Sequence, residues 1–305
     1  MDNEQESPRR PRILSSAERR QRVIPLSFQL SGMGLNLLSL IHNEWASDVL
    51  ARFWFTVFKS KPKPWVAEFW QRADRRIEVT AADVTLPVYC WGEGPLVVMM
   101  HGWSGSGTQF RNFIEPLAAA GFTAVCFDAP EHGSNPGKQS DMPRFSATLI
   151  ALQQQLGAID CVIAHSLGAM AAAYAVQQGL SPRRTVLVAP HLEVQKMFET
   201  FRDLLNMRPQ LAQRFYDKIG ARMIALMDGV NPWELLTPAR LLASGGLKGM
   251  LVYDHEDPEV SEAQFREMID YWPGCEVHAT HGLGHNRILK DETVISAIVD
   301  YLKTD

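Results

Sequence analysis

The chain has 305 residues, 46% of them apolar and 21% charged, with a formal net charge of −4. This is the profile of a soluble globular protein with a sizeable core. Mild acidity, with no Lys/Arg run interleaved with aromatics, excludes a nucleic-acid partner and leaves no global attraction to anionic surfaces.

In chain order, residues 1 to about 22 are charged, polar and free of periodicity, which reads as a disordered tail. Arg9, Arg10, Arg12, Arg19, Arg20 and Arg22 precede an uncharged run from Val23 to Ile41. A basic flank before such a run resembles a membrane segment. The run is interrupted, however, by Pro25, Ser27, Gln29, Ser31, Gly32, Gly34, Asn36 and Ser39, whereas a span needs about 20 predominantly apolar residues. No convincing small-residue cleavage site follows. Leu38, Ile41, Trp45, Val49 and Phe53 recur at helical spacing with Glu44, Asp48 and Arg52 between them. The expectation is an amphipathic helix over 33–58 that packs on the body of the protein, with peripheral membrane contact as the alternative. Ser60-Lys61-Pro62-Lys63-Pro64 reads as a breaker that closes an N-terminal extension, residues 1–64.

Short apolar runs then alternate with helical patterns. Strands are expected at 76–80, 86–91, 96–100, 122–127, 161–164 and 185–189, and helices at 109–120, 145–156 and 167–178. From 191 to 246 helical patterns follow one another with no strand between them. The alternation resumes with strands at 250–253 and 275–279 and helices at 262–272 and 291–302. Alternating β and α implies a doubly wound, mostly parallel sheet with helices on both faces. The core is therefore 65–190 plus 247–305, and the block 191–246, too long for an ordinary connection, is an inserted helical cap. Cys90, Cys126, Cys161 and Cys275 form no CxxC pair, and each lies in or beside an expected strand. They read as buried, reduced thiols, which favours a cytoplasmic setting over membrane association through the N-terminal segment.

The strand Cys161-Val162-Ile163-Ala164 runs through His165 and Ser166 directly into a helix beginning Leu167-Gly168-Ala169. A residue at so sharp a turn projects outward, and its neighbours two before and two after must be small; here they are Ala164 and Gly168. The following helix aims its amides at the serine. The alternative is a structural Ser at a helix N-cap. This segment resembles the G-x-S-x-G nucleophile elbow of the α/β-hydrolase family, with Ala164 in place of the first glycine. His165, adjacent at a tight turn, points away and is expected to pack or to form pocket wall.

The resemblance extends across residues 76–305. The buried run ending Met99-Met100 enters His101-Gly102-Trp103-Ser104-Gly105-Ser106-Gly107. By resemblance to the family's His-Gly-x pattern, the Trp103 amide is one oxyanion donor and the Leu167 amide the other. The glycines fit neither dinucleotide nor P-loop spacing. Asp128 and His132, in a segment resembling the family's D-x-x-G-x-G-x-S, read as turn residues, since no further metal ligands stand at suitable spacing. His285 in Gly282-Leu283-Gly284-His285 matches the family's late G-x-G-H segment and is the expected base, with His281 as competitor. In Asp254-His255-Glu256-Asp257-Pro258-Glu259-Val260, Asp257 matches the acid of the family's G-x-x-D-x-x-[VP]-like loop. Asp254 is the runner-up, Glu256 stands behind it, and the alternative for Asp257 is a helix-entry cap. The chain order Ser166, Asp257, His285 is the order this fold uses.

The cap is rich in Met and aromatic residues, including Phe198, Phe201, Phe215, Tyr216, Met223 and Trp233. Most should pack the cap onto the core, and some should shape an apolar pocket. The resemblance implies a serine hydrolase acting, through an acyl-enzyme, on a small-molecule carboxylic ester with an apolar portion, without cofactor or metal. Thioesterase, lactonase, C–C hydrolase or acyltransferase chemistry, or a non-catalytic ligand-binding protein, are the alternatives. A serine nucleophile argues against capped relatives that use aspartate, such as haloalkane dehalogenases and epoxide hydrolases.

Overall fold

The computed structural model describes residues 26–81, 83–243 and 248–304. The expected disordered tail lies outside them. Eight strands form one sheet: β1 (Arg75–Ala81), β2 (Val84–Trp91), β3 (Leu96–Met100), β4 (Thr123–Phe127), β5 (Ile159–His165), β6 (Arg184–Val188), β7 (Gly249–Asp254) and β8 (Glu276–Thr280). Their order is β1-β2-β4-β3-β5-β6-β7-β8. Only β2 runs against its neighbours; the pairs from β4 to β8 are all parallel.

Side-chain alternation splits each inner strand between two cores. Val98, Met100, Val125 and Val162 face one cluster, while Val97, Met99, Ala124 and Ile163 face the other. The first is covered by α5 (Met142–Leu156) and α6 (Leu167–Gln177), the second by α4 (Arg111–Ala119) and α13 (Glu292–Lys303). β4, β6 and β7 are buried along their whole length, as strands covered on both faces must be. α5 starts three residues before the expected Phe145, because the Asp141 carboxylate accepts from the Arg144 amide (3.0 Å) and Pro143 suits a first turn.

The helical block between β6 and β7 comprises α7 (Val194–Leu204), α8 (Pro209–Leu226), α9 (Pro232–Leu235) and α10 (Pro238–Ala243). Phe198 stacks on Phe215 at 5.5 Å and Tyr216 on Trp233 at 4.1 Å, which holds α7, α8 and α9 together. The remaining helices are α11 (Glu262–Tyr271), after β7, and α12 (Gly284–Arg287), after β8.

The N-terminal extension departs from expectation. In place of one helix over 33–58 there are two, α1 (Leu26–Ile41) and α2 (Asn43–Trp54), broken at His42, whose φ of −139° and ψ of 75° are not helical. After α2 the chain turns at Phe55 and Thr56 bridges Gln139 instead: the Val57 amide donates to Lys138 O (2.8 Å) and the Ser140 amide to Phe55 O (3.0 Å). Pro64 does not simply break structure; it opens α3 (Pro64–Gln71) in its first turn, where a missing N–H costs nothing. α2 lies on α8 of the cap, with Glu44 paired to Arg214 and Lys218 and Asp48 paired to Lys218. No described helix is long and apolar enough to cross a membrane.

Candidate active site

Ser166 sits between the last residue of β5 and the first of α6, with φ 55° and ψ −123°. Positive φ at a serine stores strain, of order 1–3 kcal/mol. The surrounding backbone fixes it there: the Ser166 amide donates to Val188 O (3.1 Å), and its carbonyl accepts from the amides of Ala169 (3.0 Å) and His191 (3.2 Å). The crossing is tight. A Cβ at Gly168 would lie 2.5 Å from His101 O and 2.7 Å from Met100 O, so only glycine lets α6 pass β3. A Cβ at Gly102 would lie 2.8 Å from the Ser166 Cβ, which explains the glycine beside the serine. Ala164, fully buried and paired with Met100 and Leu187, carries its methyl into the core without such a conflict.

The structure brings Ser166, His285 and Asp257 into one chain of hydrogen bonds. His285 Nε2 is 2.9 Å from Ser166 Oγ, and His285 Nδ1 is 2.8 Å from Asp257 Oδ2. Because a carboxylate only accepts, Nδ1 carries the proton and Nε2 is left to accept from the serine hydroxyl. The Asp257 carboxylate is closed to solvent, and its second oxygen accepts from the amides of Glu259 (2.7 Å) and Val260 (3.0 Å). Thus it bonds the histidine and also fixes the turn before α11.

The competitors stand elsewhere. Asp254, the last residue of β7, accepts from Glu256 N (2.9 Å), Thr280 Oγ1 (2.8 Å) and Leu283 N (2.9 Å). Burial pushes its carboxyl up, but these three donors outweigh it and hold it below the usual range. Asp254 therefore ties the loop after β7 to the loop after β8. His281 is exposed and stacks on His255 at 4.4 Å, and Glu256 is exposed.

Three further histidines are buried and neutral. His165 donates from Nε2 to the carbonyl of His285 (2.8 Å), and burial lowers its pKa to about 3. His101 accepts from the Ala129 amide at Nε2 (2.9 Å) and faces Gly102 O at 2.8 Å through Nδ1. Burial lowers its pKa to about 4. His132 is lowered to about 3 by burial and by His101. Asp128 accepts from the Gly107 amide (2.8 Å) and the Ser134 amide (2.8 Å), so Asp128 and His132 serve the turn, as expected. All four cysteines are free thiols, with burial pushing each upward.

Sequence reasoning did not single out Glu259 and His191. Glu259 Oε2 is 3.5 Å from His285 Nε2 and 3.7 Å from His191 Nε2. Burial raises the Glu259 carboxyl, yet its bond to His191 and the nearness of His285 outweigh this and hold it below the usual range, so it is ionised. The Asp257 turn folds Glu259 back over His285, a placement that linear spacing does not carry. The ligand atoms of His191, Glu259 and His285 lie within 4.8 Å of one another. They could hold a divalent cation, but only by drawing His285 away from Ser166.

These groups open into a cavity of about 660 Å³. Its floor includes Ser166, Trp103 and Leu167, and its walls come from α7 (Met197, Phe201, Leu204) and from the N-terminal extension (Phe28, Trp54, Phe58). As the first residue of α6, Leu167 has an amide with no intrahelical acceptor, aimed beside Ser166. Trp103, next to Gly102, shares that floor.

A family model described as "Alpha/beta hydrolase family" matches residues 97–297. Pimeloyl-[acyl-carrier protein] methyl ester esterase of Chromobacterium violaceum is 42% identical over 60 residues, 20% of this chain and 22% of that protein. That match therefore spans about a fifth of the curated relative. Among solved structures, an esterase from Pyrococcus furiosus superposes with a TM-score of 0.59 at 18% identity, covering 82% of this chain and 96% of that one. A thermophilic esterase from Thermogutta terrifontis superposes with a TM-score of 0.56 at 16% identity, covering 75% and 98%. At these identities the two structures speak for the fold alone.

Proposed function

We propose that this chain, which belongs to the α/β hydrolase family, is a serine esterase that cleaves a carboxylic ester with an apolar portion. The observation that carries this reading is the unbroken line Ser166 Oγ–His285 Nε2 (2.9 Å) and His285 Nδ1–Asp257 Oδ2 (2.8 Å) at the floor of an apolar cavity. A serine hydroxyl is a poor nucleophile until a base takes its proton.

In the proposed reaction Ser166 Oγ attacks the ester carbonyl carbon while its proton passes to His285 Nε2. The tetrahedral oxyanion is met by the amides of Trp103 and Leu167, which are preorganised and cost no reorientation. Asp257 holds the tautomer and favours the imidazolium. As the carbon–oxygen bond of the leaving alcohol breaks, His285 returns the proton to it. Water then attacks the acyl-enzyme, giving a proton to His285, and Ser166 departs with that proton as the carboxylic acid forms.

The apolar walls support an acyl or alcohol portion that is largely hydrocarbon. Glu259, ionised beside His285, disfavours a second anionic group near the scissile bond. The four free thiols support a reducing, cytoplasmic setting.

A fluorophosphonate probe tests the nucleophile: labelling of the folded wild type and none of Ser166→Ala is expected, and equal labelling of both would overturn the reading. A panel of p-nitrophenyl esters of rising chain length, with thioesters and lactones beside them, tests the substrate class. A higher kcat/KM on thioesters or lactones than on every oxygen ester would replace the ester assignment.

A further inference from the structure

α1 is apolar on two sides. Towards the protein it presents Gly32, Asn36 and Ser39 together with Phe28, Leu35 and Leu38, which are partly buried against the core. A Cβ at Gly32 would lie 2.2 Å from Leu205 O, so α1 rests directly on the backbone that follows α7. Asn36 Oδ1 accepts from the Arg208 amide (2.9 Å), and Asn36 Nδ2 donates to Asn206 O (2.8 Å). The outward face carries Leu26, Leu30, Met33, Leu37 and Leu40, spaced by alternating fours and threes, each more than half exposed. Trp45, 60% exposed, and Val49 continue that surface on α2.

Soluble proteins seldom leave so large a contiguous apolar patch to water. α1 holds no charged residue, and directly before it the segment 9–22 holds six arginines against one acid, Glu18. An apolar helix face flanked by concentrated positive charge is complementary to an anionic lipid surface, where the face enters the acyl boundary and the arginines meet headgroups. The face also runs into the cavity. Phe53 is part-exposed beside Val49, and Phe53 and Phe58, in contact at 5.0 Å, line the same cavity as Ser166.

We infer that α1 and α2 form a membrane-docking surface that seats the protein on an anionic bilayer with the cavity opening toward the lipid. The bound class is an anionic phospholipid surface. The ester delivered to the cavity is one dissolved in that surface; this second part rests on the esterase reading, the docking itself does not.

The full-length protein is sedimented with vesicles of phosphatidylcholine, with and without phosphatidylglycerol. Binding to the anionic vesicles, weakened by added salt, is expected. The triple variant Leu30→Ser, Met33→Ser, Leu37→Ser should lose about a hundredfold in partitioning. Arg19→Gln, Arg20→Gln, Arg22→Gln should lose the preference for phosphatidylglycerol. Leu30, Met33 and Leu37 do not line the cavity, so hydrolysis of p-nitrophenyl acetate in free solution should be unchanged in the triple variant. No vesicle binding, or binding indifferent to the leucine-face variant, would overturn the docking while soluble-ester activity left the esterase reading intact. A wild-type dimer made monomeric by the triple variant, without vesicle binding, would overturn it in favour of self-association. Vesicle binding without hydrolysis of any ester would keep the docking and remove the esterase.

Discussion

The sheet edge and the helical roof above it follow opposite rules. At the carboxyl ends of β3, β5, β7 and β8, polar side chains are turned inward and partnered: Asp254 has three donors and Asp257 has two amides and a histidine. In the roof, α1 turns Gly32, Asn36 and Ser39 inward beside Leu35 and Leu38, and turns Leu26, Leu30, Met33, Leu37 and Leu40 outward. Burying a charge is tolerated only where hydrogen bonds replace water, and the sheet edge supplies them from backbone fixed by β pairing. The roof needs no such precision, because it shapes a cavity and meets its surroundings through apolar area. Chemistry is therefore expected to be sensitive at the edge, and selectivity at the roof.

The sharpest test lies within the edge. Asp257→Asn leaves the fold intact but allows the wrong imidazole tautomer, and kcat should fall about 10⁴-fold. Asp254→Asn should cost far less in kcat and instead lower the melting temperature, since it weakens the tie between two loops. Steady-state kinetics beside thermal melts of both variants decide, and the reverse ranking would move the acid to Asp254.

A second test uses pH. His101, His132 and His165 are held neutral in the fold, at about 4, 3 and 3, by burial first of all. In the unfolded chain they bind protons below about 6.5, so the unfolded state takes up more protons as pH falls. Stability should be flat above that value. It should then decline by up to about 1.4 kcal/mol per pH unit for each histidine, down to their folded pKa values. Denaturant melts from pH 7 to 4 measure this, and His132→Phe should flatten the slope by about one histidine's share.

A third, smaller effect separates positioning from chemistry. His165 holds the backbone carbonyl of His285 and packs against its ring at 4.9 Å. His165→Phe should lower kcat about tenfold with KM unchanged, and His165→Gln, which restores an N–H donor, should recover part of it. An equal loss in both variants would make the role one of packing. The smallest effect is expected in the roof. Phe201→Ala, which removes an edge contact to Trp54 at 5.5 Å, should raise KM a few-fold for long-chain esters and leave short ones unchanged. A loss on all chain lengths would mean that the roof also governs the chemistry.

Much of the sheet edge was legible in advance because its constraints are local. A buried strand, a small residue, a serine, a glycine and a helix stand in one short run, and the glycines at 102 and 168 are demanded by backbone approach. Asp257 could be named from the family pattern, but its separation from Asp254 depended on which carboxylate faces His285. Glu259 and His191 were not found, since only the folded turn brings them to the base.

The N-terminal extension shows the limit most clearly. Apolar residues at helical spacing indicated one amphipathic helix over 33–58, where the structure has two, α1 and α2. They were expected to face the protein; of them Leu38 packs against the core, while Ile41, Trp45, Val49 and Phe53 are exposed to differing degrees and Ala46, Ser47 and Leu50 pack inward. The sequence by itself determined the alternating sheet and the inserted helices, because hydrophobic period and chain order are properties of short segments, while Ser166 and His285 were named with the help of family resemblance. Only the tertiary structure decided which face of α1 meets the cap, which carboxylate meets His285 and what shares the cavity. Those choices depend on surfaces brought together from distant parts of the chain, and no local pattern records them.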